Sequence, residues 1–303
     1  MSIEYGAIGF IGLGNMGSRI VPRIKEGGYR VVAYDIAQSS LEKVKAYGIE
    51  VAAAPEDLAK ECEVIFFSLP DPKAVESVFL ANKGITVPNN KKVKAIFDLS
   101  TIGYDASLKF YGIAQKAGIE YIDAPVSGGV GGAAKGTLSV MISGKREYYD
   151  KYKEILQIIG KNAKYVGDQP GLGQVMKLLN NLLSASALTL TSEVVALGVK
   201  AGLNPKIILD VLSVSSGVNS AVTDKFPRSV INRKFQFGFK TALMYKDLSL
   251  YSDLAKYFEY PLLGSANIIM LWRMANNELK DSDFTEIAKI FERTANVIIE
   301  DKE

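Results

Sequence analysis

The chain has 303 residues, 36 Lys and Arg against 33 Asp and Glu, and no histidine. Its length allows two domains with a substantial core. The balance of +3, with basic residues scattered, excludes a nucleic-acid stripe and a polybasic membrane anchor, although it suits a small anionic ligand. Without histidine, and with one cysteine (Cys62), there is neither a zinc-ligand cluster nor an internal disulfide, and no metal site is expected. Any proton transfer near neutral pH must use another side chain.

In chain order, the first half alternates short apolar strands with helical segments. Residues 5–11 read as a strand and 16–26 as a helix, followed by a strand at 30–34 and a helix at 41–47. Glu4 interrupts any signal-peptide core, so no leader is expected. Runs 64–68 and 93–98 are continuously apolar, as strands buried on both faces are, and Cys62 would fill space beside the first of them. This rhythm predicts a doubly wound, mostly parallel sheet of the Rossmann type. It ends with a last strand near Tyr165-Val166-Gly167. Beyond residue 170 the pattern is helical: 174–200, a helix opened by Asn204-Pro205, then 243–257, 262–274 and 284–298. The organisation expected is α/β, a dinucleotide-binding domain over 1–167 followed by an all-helical domain over 168–303 that opens with a long helix. The apolar run at 182–190, broken by Ser184, Ser186 and Thr189, reads as too short to span a bilayer.

Gly12-Leu13-Gly14-Asn15-Met16-Gly17 follows the first strand and opens the first helix. In that setting the first glycine makes a tight turn, the second admits a pyrophosphate to the backbone, and the third lets helix and strand pack closely. The pyrophosphate would meet the free N–H groups of the helix. Asp35 ends the second strand, where a carboxylate bonds the adenosine ribose and repels a 2′-phosphate. No Arg or Lys follows it within residues 36–40, so NAD is expected over NADP.

Asp123-Ala-Pro-Val-Ser127-Gly128-Gly129 opens a glycine-dense block reaching Gly136, read as a loop leading into a short helix. Its freed backbone N–H groups and the Ser127 hydroxyl suit a carboxylate. Gly171-Leu-Gly-Gln-Val-Met-Lys177-Leu-Leu-Asn-Asn181 enters the long helix. Lys177 and Asn181, four residues apart, share one helix face; such a pair is often only solvated, yet here it is the best substitute for histidine.

Together these blocks resemble the β-hydroxyacid dehydrogenase family, the 3-hydroxyisobutyrate dehydrogenase type related to 6-phosphogluconate dehydrogenase, over nearly the whole chain. The resemblance implies that Ser127, Gly128 and Gly129 hold the substrate carboxylate, that Lys177 is the essential lysine, and that Asn181 is a substrate ligand. The stretch 235–248, ending Leu243-Met-Tyr-Lys246-Asp247-Leu, matches a family segment whose lysine sits near the nicotinamide. Leu69-Pro70 and Ser100-Thr101, each after a strand, match cofactor contacts beside Gly12, Leu13, Gly14, Asn15, Met16, Gly17 and Asp35. The family tryptophan expected after Ser215-Ser216-Gly217 is replaced by Val218-Asn219-Ser220.

The implied reaction is hydride exchange between NAD(H) and a small 3-hydroxy acid or semialdehyde, with Lys177 as general acid and base. A free lysine titrates near 10.4, so work near pH 7 needs a fall of roughly 3 units, which desolvation in a closed interdomain cleft would favour. Family alternatives are reductases of tartronate semialdehyde, succinic semialdehyde or glyoxylate, and serine oxidation. A phosphogluconate dehydrogenase would have a longer C-terminal domain, and imine reductases lack the lysine. A non-catalytic dinucleotide-binding protein is the remaining contrast. The expected setting is cytoplasmic, as a homodimer or homotetramer.

Overall fold

The computed structural model describes residues 6–89 and 91–301, so Glu4 and Tyr5 lie outside the described residues. The chain divides into two compact units, Met1–Lys177 and Leu178–Glu303.

In the first unit, strand β1 (Ile8–Ile11) leads to helix α1 (Gly17–Glu26), β2 (Val31–Tyr34) to α2 (Gln38–Lys45), and β3 (Glu50–Val51) to α3 (Pro55–Glu61). The second half repeats the unit: β4 (Val64–Phe67) with α4 (Pro72–Leu80), then β5 (Ala95–Asp98) with α5 (Tyr104–Lys116). β6 (Glu120–Asp123), β7 (Val126–Ser127), α6 (Gly129–Lys135), β8 (Ser139–Ser143), α7 (Arg146–Ile159) and β9 (Asn162–Gly167) complete it. The strand order is β3-β2-β1-β4-β5-β6-β8-β7, with β9 paired to β8. The first six strands are mutually parallel, while β8 runs antiparallel to β6 and β7. That is the doubly wound nucleotide-binding order, with its switch point between β1 and β4.

Alternation along the strands builds two cores. Phe10, Phe66 and Phe97 are fully buried on one face and stack across neighbouring strands at centroid distances of 6.4 and 5.2 Å. Ile65, Phe67 and Ile96 face the other way, with Leu58 and Phe79. Cys62 is buried in that second core, where desolvation pushes its thiol up to about 12.

The second unit is helical. α8 (Leu172–Lys200), whose residues up to Lys177 belong to the first unit, is followed by α9 (Pro205–Ser213), a π-helix over Ala221–Val230, α10 (Thr241–Tyr257), α11 (Ala266–Leu279), a 3₁₀ turn over Phe284–Ile287 and α12 (Ala288–Ala295). Its core gathers around Trp272, whose indole N–H donates to the Thr189 hydroxyl at 2.9 Å. The π-helix has no counterpart among the elements expected from sequence, because Pro227 within it breaks the ordinary helical pattern. The last helix, expected at 284–298, begins as a 3₁₀ turn and stops at Asn296 in the left-handed conformation.

α8 also corrects an expectation. Its 29 residues, with a mean hydropathy of 1.6 over the most apolar window, are long and apolar enough to cross a membrane by length and composition. Two hydroxyls of this helix, one of them in the interrupted run, are accommodated by its own backbone: Thr189 donates to Ala185 O and Ser192 to Leu188 O, one turn back. Core helices meet the same criterion, and Leu182, Ala185, Leu188, Val195 and Ala196 pack into the core of the second unit.

The turn between β1 and α1 rests on bare backbone. Gly12 has φ +97°, and a Cβ there would lie 2.3 Å from Ser68 O; a Cβ on Gly17 would lie 1.9 Å from Gly12 O. A Cβ on Gly14 would meet nothing within 4 Å. Gly17→Ala is therefore expected to lower stability by about 2 kcal/mol or more, and Gly14→Ala by less than about 1 kcal/mol, in urea denaturation. Equal losses would contradict the packing described.

Candidate active site

The C-terminal ends of β1, β2, β4 and β5 carry the predicted nucleotide contacts. Asp35 uses both carboxylate oxygens locally: Oδ2 accepts from Leu13 N at 2.6 Å and Oδ1 from Ala37 N at 2.7 Å. It starts the turn into α2 and holds the glycine loop at the same time. A cavity of about 550 Å³ opens beside it, lined by Tyr34, Asp35, Ile36, Gln38, Leu41 and Lys45 among others. Lys45, ten residues beyond Asp35 and outside the segment read for a phosphate partner, thus shares the cavity with it, and its Nζ is paired with Glu42 at 2.9 Å. Open space at Gly14, the Asp35 carboxylate and this cavity fit the pyrophosphate, ribose and base of a dinucleotide. Asn15 is exposed, and Met16 is half-buried immediately before α1.

Leu69 and Pro70 follow β4, and Ser100 and Thr101 follow β5. The Ser100 hydroxyl accepts from Leu69 N at 2.8 Å, tying the two loops together. Ser100 N donates to Asp98 Oδ1 at 2.8 Å, and the Tyr121 hydroxyl donates to Asp98 Oδ2 at 2.5 Å.

One strand along from Asp98, β6 ends in Asp123, beside Asp98 in the parallel register. Asp123 is fully buried and accepts four hydrogen bonds. The Ser107 hydroxyl (2.7 Å) and Gln174 Nε2 (3.3 Å) reach Oδ1, while the Ser143 hydroxyl (3.1 Å) and Gly171 N (2.6 Å) reach Oδ2. Ser143 Oγ in turn accepts from Gly173 N at 2.8 Å. The first turn of α8 is therefore capped by side chains from the sheet. Desolvation raises the Asp123 carboxyl above its ordinary value, and its donors oppose that rise. Burial likewise pushes Asp98 up to about 6, with the Asp123 charge adding to it and Ser100 and Tyr121 opposing.

Lys177 lies one turn into α8 and is 7% exposed. Ser127 ends β7, and Gly128 (φ +127°) and Gly129 (φ +65°) follow it in conformations that favour glycine. In the second unit, Asn181 is buried and its Nδ2 donates to Asp247 Oδ2 at 2.6 Å, while its Oδ1 accepts from Asn180 Nδ2 at 3.0 Å. Lys246 Nζ lies 3.1 Å from Asp247 Oδ1. Asp247 therefore joins Asn181 to Lys246, two residues that the sequence singles out separately. In sequence Asp247 is only part of a motif, as are Asp123 and Gln174; their identity as polar residues inside apolar runs is the available signal. Where the family tryptophan is replaced, Asn219 caps the π-helix by accepting from Ala221 N and Val222 N, and the Thr191 hydroxyl donates to it at 3.4 Å.

Comparison with known proteins identifies the family. Residues 7–167 match the model of the NAD binding domain of 6-phosphogluconate dehydrogenase, and residues 171–291 match that of NADP-dependent 3-hydroxyisobutyrate dehydrogenase. The chain belongs to the β-hydroxyacid dehydrogenase family. It is 32% identical over 293 residues to the 2-(hydroxymethyl)glutarate dehydrogenase of Eubacterium barkeri, covering 96% of this chain and 97% of the relative. It is 32% identical over 294 residues to the NAD-dependent L-serine dehydrogenase of Pseudomonas aeruginosa, covering 95% and 98%. The solved structure of Mycobacterium tuberculosis 3-hydroxyisobutyrate dehydrogenase with L-serine superposes with a TM-score of 0.83 at 27% identity, covering 94% and 99%. As a β-hydroxyacid dehydrogenase, the chain is an NAD-dependent oxidoreductase acting on hydroxy acids.

Asp98 gives a pH test of the strand-end network. Its carboxyl titrates higher folded than unfolded, so its contribution to stability is complete below about pH 4 and is lost as the pH rises through 6. Asp98→Asn removes that titration while keeping the shape. The variant is expected to gain about 1 kcal/mol on wild type between pH 5 and pH 8. Urea denaturation at both pH values measures the gap, and a pH-independent gap would contradict the burial argument.

Proposed function

We propose that this protein exchanges a hydride between NAD(H) and the carbinol carbon of a small 3-hydroxy acid, with Lys177 as the proton-transfer group. One observation carries it: in a chain without histidine, a lysine only 7% exposed follows the capped first turn of α8, which is bonded into the ends of β5 and β6. An amine held at that position can exchange a proton with a bound substrate hydroxyl. NAD⁺, when bound, supplies the hydride acceptor. Lys177 takes the proton of the substrate hydroxyl as the carbinol is oxidised, and returns it to the carbonyl oxygen in reduction. Asn181, held by Asp247, orients the substrate oxygens, and Lys246 takes the nicotinamide-end role that its family segment implies. Ser127, Gly128 and Gly129 receive the carboxylate through hydroxyl and backbone donors.

We assign residues 1–167 to nucleotide binding and 168–303 to substrate binding and assembly. Gly12, Leu13, Gly14, Asn15, Met16, Gly17, Leu69, Pro70 and Thr101 contact the dinucleotide, and Asp35 selects NAD over NADP. The Asp35 carboxylate is fixed by two backbone N–H groups and cannot turn away from a 2′-phosphate, while Lys45 in the same cavity is paired with Glu42. A cytoplasmic homodimer or homotetramer is the assembly we propose, since Leu183, Leu190, Val194 and Leu197 leave an exposed apolar stripe on α8.

Lys177→Ala is expected to cut kcat by about 10²–10⁴-fold while NADH titration by fluorescence stays within about threefold of wild type. Near-normal turnover would remove Lys177 from its role. Initial rates with 3-hydroxyisobutyrate, serine, glycerate, 3-hydroxypropionate, 4-hydroxybutyrate and 2-(hydroxymethyl)glutarate identify the substrate. Each is run with both cofactors, and NAD should give the higher kcat/KM; a clear NADP preference would sink the role given to Asp35.

A further inference from the structure

Gln174 is fully buried in the first turn of α8, and its amide makes four hydrogen bonds, all within the first unit. Oε1 accepts from Ile102 N at 3.0 Å and Gly103 N at 3.3 Å; Nε2 donates to Ser100 O at 3.0 Å and to Asp123 Oδ1 at 3.3 Å. The amide has two donors and two acceptor lone pairs, so its capacity is filled and its orientation fixed. Three of the partners are backbone groups of residues 100–103, the loop after β5 that includes Thr101. Through the Ser100 hydroxyl that loop also holds Leu69 N, in the loop after β4.

Gln174 and Lys177 stand three residues apart on one helix, so they lie on neighbouring parts of one face about 4.5 Å apart along the axis. Residues 100–103 are thereby bonded directly to the turn that precedes the lysine. Core packing alone would be served by an apolar side chain of this size, with no need for four directed bonds. The buried carboxylate of Asp123 fixes the clamp from below: it binds Gln174 itself and Gly171 N, and it reaches Gly173 N through Ser143.

We propose that Gln174 is a positioning residue that couples the nucleotide-contact loops after β4 and β5 to the helical turn bearing Lys177, so that lysine placement depends on those loops. This rests on the role proposed above for Lys177, and the test separates the two. Gln174→Met removes the amide with little change of volume, and Gln174→Asn keeps the amide but draws it back from residues 100–103 by one methylene. Each is combined with Lys177→Ala, and kcat, NADH affinity and circular dichroism are measured for single and double variants. The single Gln174 variants should be folded, lose about tenfold or more in kcat, and bind NADH several-fold more weakly. In the Lys177→Ala background the same changes should weaken NADH binding equally but leave kcat within about twofold of Lys177→Ala alone.

A folded Gln174 variant with kcat within threefold of wild type overturns the proposal. So does a double variant whose kcat falls by the full product of the single losses, because the two residues would then act independently. Failure of both Gln174 variants to fold makes the residue a determinant of the fold and also overturns it. Near-normal turnover by Lys177→Ala alone would instead mark the failure of the Lys177 assignment, on which the coupling depends.

Discussion

The buried carboxylate of Asp123 is the interaction on which the strand-end architecture depends. It closes β6 and takes donors from α5, β8, the approach to α8 and α8 itself. A carboxylate without water is costly, and here four donors offset that cost. The arrangement is therefore demanding: removing any one donor leaves a buried acceptor short, while removing the carboxylate strands several donors at once. Asp98 stands next to it in register and is held by Ser100 and Tyr121, so two buried acids share this corner of the sheet. The polar corner and the stacked Phe10, Phe66 and Phe97 belong to the same sheet, one at the strand ends and one along the strand faces.

Two kinds of closeness prepare the nucleotide side for chemistry. At the β1–α1 turn, backbone meets backbone without room for a Cβ at Gly12 or Gly17, leaving space only at Gly14. At the ends of β4 and β5, side chains of Ser100 and Gln174 satisfy loop N–H and C=O groups that would otherwise be buried unpaired. The loops that would touch the dinucleotide are thus positioned from below by fixed bonds, which leaves their outer surface for ligand. Asp35 combines both functions, holding Leu13 N while presenting its carboxylate at the edge of the adjacent cavity.

Much of this is legible in the sequence where the cause is local. Strand alternation, glycine spacing and the acid at the end of β2 each act over a few residues, and β1, β2, β4, β5 and α8 lie within a few residues of expectation. The partners of Asp123 are not legible, because they come from positions 107, 143, 171 and 174 and meet only through the sheet order. The link from Asn181 to Lys246 through Asp247 is of the same kind, with 66 positions separating the bonded side chains. The apolar reach of α8 is hidden for a different reason: Thr189 and Ser192 look polar in sequence but spend their hydroxyls on the preceding turn. Asn219, within the stretch 218–220 that replaces the family tryptophan, accepts from the first N–H groups of the π-helix, a use apparent only once that helix is seen.

The most direct test of Asp123 as the organising acceptor is residue-resolved amide hydrogen exchange of the Gly171 N–H, measured against the amides of β5 and β6. Gly171 precedes α8, and its N–H donates to the buried carboxylate rather than to the helix. If Asp123 holds the start of α8 to the sheet, this amide exchanges as slowly as those of the central strands, through global unfolding. Exchange at the rate of an exposed loop would contradict the account.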